Sequence, residues 1–212
     1  GHQGYEYVDL GRFWQIFLFA GLLIWLHLMG RALWPALQRR GESRQLLVLF
    51  FVSAAAIALF YGAGLMWGQH TNLAIAEYWR WWVVHLWVEG FFEVFATVVI
   101  AFLFTRMGLL RTASATVAVL FSTVIFLAGG IVGTFHHLYF TGTPTAILAF
   151  GSVFSALEVV PLVLIGFEGY ENFTLTRAQP WVAAYRWPIY FFVAVAFWNL
   201  VGAGLFGFLI NP

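Results

Sequence analysis

Six long apolar segments constrain this chain more than any other feature, because each can cross a lipid bilayer as a helix. A spanning helix needs about 20 mostly apolar residues. Charged residues form only 9% of the chain, against about 25% in soluble domains, so they cannot cover a water-facing surface. The sequence predicts an all-α, polytopic transmembrane helix bundle with six spanning helices near residues 11–37, 45–67, 78–105, 112–139, 145–167 and 187–210.

The connections between these segments are short and punctuated by Gly, Pro, Asn and Arg, as in RRGESR, GQHTN, RMGLLR and EGYENFTLTRAQP. Because no internal repeat or strand pattern interrupts them, we interpret residues 1–212 as a single transmembrane domain. The chain begins at Gly1 rather than Met, and it stops at Pro212 directly after an apolar segment. We therefore expect it to be a fragment of a larger subunit.

Arginine placement predicts the orientation of the helices, since the chain has no lysine. Most loop arginines fall on one side of the membrane, and only Arg12 and Arg80 fall on the other. The positive-inside bias places the arginine-rich side in the cytoplasm and the chain start outside. Trp79, Trp81 and Trp82 are expected in the interfacial aromatic belt. The net charge of +1 gives no general attraction for nucleic acid.

Three ionisable residues lie close together in the third apolar segment, in HLWVEGFFE: His85, Glu89 and Glu93. Ionisable groups inside spanning helices are rare and usually functional. Spacings of four residues place His85 and Glu89 on one helix face, one turn apart, with Glu93 on the same side. The structural alternative is a polar stripe that neighbouring helices satisfy, but three such residues on one stripe favour a functional site.

A histidine pair, His136 and His137, ends the fourth segment in GGIVGTFHHLYF. Adjacent helical residues point about 100° apart, so both reach one ion only if it lies close to the helix end. Gly129 and Gly133 have the small-xxx-small spacing that allows helices to approach closely. The structural alternative is a histidine pair that lipid headgroups hydrate at a helix terminus.

Helix order joins these two groups of residues. The third and fourth helices are consecutive and antiparallel, so the three imidazoles come to a similar depth near the outer surface. Neutral imidazole suits iron, copper and zinc, and a carboxylate favours iron over copper. The absence of cysteine excludes thiolate ligands and iron–sulfur clusters. We predict that one metal ion binds to His85, Glu89, His136 and His137.

Two further carboxylates are candidates for a functional role. Glu158 lies in the middle of the fifth segment, just before Pro161, whose missing N–H loosens the local backbone. It is either a structural hydrogen-bonding group or, beside a metal site, a group that carries protons. Glu6 and Asp9, just outside the first helix, either bind a hard cation or face water, and their spacing favours water.

Four segments resemble the bacterial nitric oxide reductases, which are relatives of the haem–copper oxidases: HLWVEGFFE, GTFHHLYFTGTP, FSALEVVP and, for the quinol-dependent type, GYEYVDLGRFWQ. The resemblance covers essentially the whole chain. It implies a haem–copper-oxidase-like fold of twelve or more helices in the bacterial inner membrane, with the chain start on the periplasmic side. It also implies quinol-dependent reduction of two NO to N2O and water at a centre of non-haem iron and high-spin haem.

The resemblance also implies roles for individual residues. The implied ligands of the non-haem iron are His85, Glu89, His136 and His137. The implied catalytic residues, which deliver protons, are Glu93 and Glu158. Glu6 matches a glutamate that helps to bind calcium beside the haem propionates, which reverses the preference for plain solvent exposure.

The two b-type haems, low-spin and high-spin, are expected outside this chain. None of its remaining histidines, His2, His27 and His70, matches a haem ligand of the family. The haems are therefore assigned to the remainder of the same subunit. The other implied partners are nitric oxide, quinol, the lipid bilayer and a second copy of the subunit in a homodimer.

Two other functions remain open at the level of sequence. An oxygen-reducing haem–copper oxidase has a tyrosine, crosslinked to the first histidine, four residues after it, whereas this chain has Glu89 there. A non-redox transporter could use the buried carboxylates and histidines as a proton relay. Such a transporter would bind neither iron nor haem.

Overall fold

The structure contains, among its described residues, six helices that are each long and apolar enough to cross a membrane. It is a computed structural model that describes residues 11–41, 44–68, 70–177, 179–206 and 209. The predicted all-α fold with six spanning helices is confirmed. The helices are α1 (Arg12–Leu37), α2 (Arg44–Leu65), α3 (Leu73–Arg106), α4 (Thr112–His137), α5 (Thr145–Thr176) and α6 (Pro180–Phe206).

Three helices extend beyond the bounds predicted from their apolar segments. α3 begins at Leu73 rather than near residue 78, because the side chain of Asn72 caps it by accepting a hydrogen bond from the N–H of Ala74 at 3.0 Å. α5 continues to Thr176 rather than ending near residue 167, and α6 begins at Pro180 rather than near residue 187. α5 continues because a helix can extend through polar residues beyond its apolar segment. α6 begins early because proline is well tolerated in the first turn of a helix.

The hydrophobic core of the bundle is formed by α2–α6. Buried Val98 of α3 and Val119 of α4 pack in one cluster with Ile165 of α5 and Ile189 of α6. α1 lies at the edge of the bundle, packs chiefly against α2 and has no buried residue. Most of the apolar core lies in the half of the bundle that holds the α3–α4 connection. The opposite half, called here the polar half, contains the buried ionisable residues His85, Glu89, His136, His137 and Glu158.

The guanidinium of Arg12 holds the start of α1 against the end of α2. It donates hydrogen bonds to the carbonyl oxygens of Gly64 at 2.7 Å and Trp67 at 2.6 Å, and it lies over the Trp67 ring. Carbonyl groups at a helix C-terminus lack partners within the helix, and a cation beside them is favourable. One side chain therefore connects the edge helix to the rest of the bundle at this end.

Several stretches of α3–α6 depart from α-helical geometry in the polar half of the bundle. α5 is interrupted at Glu158, where the missing N–H of Pro161 removes a hydrogen bond to the carbonyl of Leu157. π-Helical turns are rare, and they occur frequently at functional sites. In the described residues they lie at Trp82–Leu86 and Gly90–Phe95 in α3, Ile125–Gly129 in α4, and Asn199–Phe206 in α6.

Candidate metal centre

A cavity of about 230 Å³ lies between α3, α4, α5 and α6 in the polar half of the bundle. All six residues predicted for the iron ligands and for proton delivery border it, so the helix order brings them together as expected. The lining residues are His85, Glu89, Glu93, Phe126, His136, His137, Ser155, Glu158, Val159 and Asn199.

Three imidazoles converge on one side of this cavity. The ring centroid of His85 lies 5.1 Å from that of His136 and 4.4 Å from that of His137, and the last two are 4.1 Å apart. One ring nitrogen from each histidine lies within 4.8 Å of the other two. Nitrogens bound to one ion at about 2.1 Å can be no more than about 4.2 Å apart. A small movement of the three imidazoles toward one another would therefore allow all of them to bind one ion.

Two of the imidazoles have a buried nitrogen that a metal ion would satisfy. Nδ1 of His85 and Nε2 of His137 have no hydrogen-bond partner among the described residues. A buried polar atom without a partner costs about 1–3 kcal/mol, so native proteins rarely leave one unsatisfied. The donor atoms, their spacing and their unsatisfied nitrogens therefore fit a first-row transition metal ion.

A tight turn at the end of α4 brings His136 and His137 to the same cavity. Thr134–His137 is a 3₁₀-helical turn, in which adjacent side chains point about 120° apart, rather than the 100° expected for an α-helix. Gly151 of α5 supports this turn from behind. A Cβ atom at Gly151 would lie 2.5 Å from the backbone nitrogen of His136 and 2.9 Å from the carbonyl carbon of Phe135.

Glu89 lies beside the imidazole of His85 on α3. Its Oε1 atom contacts Nε2 of His85, and its Oε2 atom is buried without a hydrogen-bond partner in the described part of the chain. Glu89, Glu158 and His85 form a second set of donor atoms, each within 4.8 Å of the others. His85 belongs to both sets of donor atoms, so the two carboxylates lie directly beside the group of three imidazoles.

Two glycines of α4 make room for the carboxylate of Glu158, which is 5% exposed. A Cβ atom would lie 3.3 Å from its Oε1 atom at Gly130 and 3.0 Å at Gly133. Of the predicted glycine pair, Gly133 is thus in close contact, whereas a Cβ at Gly129 would make only an ordinary contact with Phe154 at 3.6 Å. The other oxygen of Glu158, Oε2, accepts a long hydrogen bond of 3.5 Å from Ser155.

Glu93 is held by a residue that the sequence analysis did not identify. The Nδ2 atom of Asn199 in α6 donates a hydrogen bond of 3.1 Å to Oε1 of Glu93. Asn199 is the single amide in the sixth apolar segment, so the rule that singled out buried ionisable residues would have found it if extended to amides. Glu6, the predicted calcium ligand, lies outside the described residues.

Trp81 and Arg80, near the start of α3, make contacts inside the bundle that the sequence did not indicate. The Trp81 ring stacks on the His137 imidazole, with centroids 3.9 Å apart and planes 8° from parallel. Arg80 is 2% exposed and pairs with Glu77, which also accepts a hydrogen bond from the Trp81 indole at 3.1 Å. Both residues lie within α3, inside its predicted bounds, and they face the bundle.

The chain is similar to known membrane oxidoreductases. The family model for Cytochrome C and Quinol oxidase polypeptide I matches residues 1–212. The chain belongs to this family. A stretch of 141 residues, 65% of the chain, is 33% identical to a nitric oxide reductase subunit of Stutzerimonas stutzeri. The matched stretch spans 28% of the length of that relative.

Membership in the Cytochrome C and Quinol oxidase polypeptide I family gives the cavity a context. This is a haem–copper oxidase family of multi-pass membrane oxidoreductases, which implies haem and metal cofactors. Within it, the chain is similar to a nitric oxide reductase subunit, as the motifs around His85, His136 and Glu158 indicated. The donor atoms in the cavity have the chemistry that such a metal cofactor requires.

Substitution of Gly151 by alanine is expected to lower the free energy of unfolding of the intact protein by about 1–3 kcal/mol, because the added Cβ overlaps the backbone of the turn that carries His136. Gly169→Ala on the same helix is the matched control, since its Cβ would meet only side chains at 3.5 Å or more. Thermal unfolding in detergent measures the difference. Equal unfolding midpoints for the two variants would contradict the close packing of α5 on this turn.

Proposed function

We propose that this chain provides the non-haem iron site of a quinol-dependent nitric oxide reductase. The reaction converts two NO, two electrons and two protons to N2O and water. The observation that carries the proposal is the convergence of three imidazoles and Glu89 in one cavity of a chain from this oxidase family. The similarity to the nitric oxide reductase of Stutzerimonas stutzeri supports NO as the substrate.

The donor set favours iron as the metal ion. His85, His136 and His137 would hold it through imidazole nitrogens, with Glu89 as a further ligand. A mixed set of imidazole and carboxylate suits non-haem iron, whereas copper prefers sites without the carboxylate. When bound, this iron, with a high-spin haem from the remainder of the subunit, would supply the redox chemistry that joins the nitrogen atoms of two NO molecules.

Glu93 and Glu158 are assigned to proton delivery, because the reaction consumes two protons inside the membrane. Both carboxyl groups border the cavity, and each has one oxygen that is buried without a hydrogen-bond partner in the described residues. A carboxyl group in this position can hold a proton and release it to an acceptor within hydrogen-bond reach. The apolar side chains Phe126 and Val159 complete the lining and limit the access of water.

Glu89 favours NO reduction over the oxygen-reducing alternative. In the oxidases the position four residues after the first histidine is a tyrosine, which supplies an electron and a proton to oxygen. A carboxylate at this position cannot be oxidised in that way, and it adds an oxygen donor next to His85. The non-redox transporter is less favoured, because family membership implies haem and metal cofactors.

The wider setting of the site is part of the same proposal. Residues 1–212 form one transmembrane domain of a larger helical subunit, whose remainder holds the low-spin and high-spin b-type haems. The chain start lies on the periplasmic side of a bacterial inner membrane, where Glu6 helps to bind calcium. Quinol supplies the electrons, and the subunit forms a homodimer.

The intact subunit, purified with its haems, is expected to consume NO with a reduced quinol and to release one N2O for every two NO. An NO electrode measures the NO consumed, and gas chromatography measures the N2O released. The consumption of oxygen under the same conditions is measured for comparison. Oxygen consumption that exceeds NO consumption would favour the oxidase. A subunit without haem or iron would favour the transporter.

His136→Ala in the intact subunit is expected to remove the non-haem iron and keep both haems, because one of three imidazole donors is lost. His70→Ala is the control, since His70 is exposed in the α2–α3 connection and away from the cavity. Iron analysis combined with the haem absorption spectrum measures the ratio of non-haem iron to haem. An unchanged ratio in His136→Ala would contradict the assigned ligand set.

Glu158→Gln is expected to slow NO reduction by about 10- to 100-fold and to leave the metal content intact, since the amide keeps the size of the side chain but cannot transfer a proton. Glu171→Gln, at an exposed position on the same helix, is the control. The measurement is the steady-state rate together with iron and haem content. Wild-type turnover in Glu158→Gln would remove Glu158 from the proton path.

A further inference from the structure

The hydrogen bond between Asn199 and Glu93 connects the last described helix to the centre of the candidate site. Its atoms belong to residues 106 positions apart in the chain, on α6 and α3. Both side chains line the cavity that also contains the three histidines. α6 therefore contributes a polar side chain to a site whose predicted ligands all come from α3 and α4.

The backbone around Asn199 places its amide at the cavity. The π-helical stretch of α6 begins at this residue, and π-turns widen a helix and re-aim its side chains. Five residues later, Gly204 brings α6 against α5, because a Cβ there would lie 2.8 Å from the side chain of Val159. Val159 also lines the cavity, so the close contact between α5 and α6 lies beside the amide of Asn199 at the cavity wall.

The amide leaves Glu93 with two different oxygens. Oε1 accepts the hydrogen bond from Asn199, whereas Oε2 is buried and has no hydrogen-bond partner among the described residues. Oδ1 of Asn199 is likewise buried and unpaired within the described part of the chain. A bond that served helix packing alone would not need to lie in the cavity or to leave a carboxylate oxygen unpaired beside it.

The side chain of Asn199 carries no charge, which suits a position beside several carboxyl groups. Glu89, Glu93 and Glu158 already contribute three carboxyl groups to one cavity. An arginine or lysine at position 199 would pair with Glu93 as an ion and hold its carboxylate in a salt bridge. An amide can donate to Glu93 without adding a charge, so Glu93 remains able to exchange a proton.

We propose that Asn199 is a positioning residue for proton delivery, which holds Oε1 of Glu93 and thereby leaves Oε2 to exchange a proton with the cavity. This role rests on the proposed reduction of NO. Asn199 acts through Glu93 and contributes no donor to the metal. Removal of its amide should therefore change the carboxyl group of Glu93 and the rate of turnover, and leave the iron in place.

Four variants of the intact subunit test this role: Asn199→Leu, which keeps the size but removes the donor, Glu93→Gln, the double variant, and Thr123→Val. Thr123 is the control, because its buried hydroxyl donates only to the carbonyl of Val119 in its own helix and does not line the cavity. The readouts are iron and haem content, the rate of NO reduction, and the infrared difference spectrum on reduction. The carboxyl band that Glu93→Gln abolishes identifies Glu93 in that spectrum.

Asn199→Leu is expected to retain iron and haem, to shift the Glu93 band and to slow NO reduction by about 10-fold. The double variant should be no slower than Glu93→Gln, because the effects of two substitutions that act through one group do not add. Thr123→Val should stay within about twofold of wild type.

Three results would overturn the role of Asn199. The first is an unshifted Glu93 band in Asn199→Leu, and the second is wild-type turnover of that variant. The third is a double variant whose loss of rate equals the product of the losses of the two single variants. A wild-type subunit that does not reduce NO would instead overturn the proposed function, and this role with it. The wild-type rate thus distinguishes the two failures.

Discussion

Ionisable side chains inside a membrane must find their partners within the protein, since hydrocarbon offers them no hydrogen bonds. In this bundle three histidines and three glutamates from α3, α4 and α5 meet this requirement together in one cavity. Each would be costly alone at that depth, but together they supply donors and acceptors that a metal ion and protons can satisfy. The site lies where α3–α6 converge, and most of the apolar core lies toward the opposite half of the bundle.

The grouping depends on helices that approach more closely than ordinary side chains allow. Gly130 and Gly133 leave space on α4 for the carboxylate of Glu158, and Gly151 lets α5 touch the turn that carries His136. The π-helical turns of α3, α4 and α6 and the interruption of α5 at Glu158 then aim the polar side chains into the space. Glycine and irregular backbone are tolerated at this depth because they are buried in protein and border a cavity.

Much of this arrangement could be predicted from sequence, because apolar length and helix order are local properties. The spacing of His85, Glu89 and Glu93 and the antiparallel order of α3 and α4 were sufficient to group the site residues of these two helices. Glu158 lies on α5, and the family resemblance implied its place beside them. The ends of α3, α5 and α6 were predicted less well, since a helix can continue past its apolar segment. Asn199 and the stacking of Trp81 on His137 were not predicted, because such contacts depend on the rotation of packed helices, which periodicity alone does not determine.

The proposed function depends on one non-haem iron ion that binds between the three histidines and Glu89. Anomalous X-ray diffraction from crystals of the intact subunit, collected at the iron and copper absorption edges, tests it most directly. An iron signal is expected in this cavity, separate from those of the haems and within ligand distance of His85, His136 and His137. A copper signal at that position, or no anomalous signal there from a subunit that reduces NO, would contradict it.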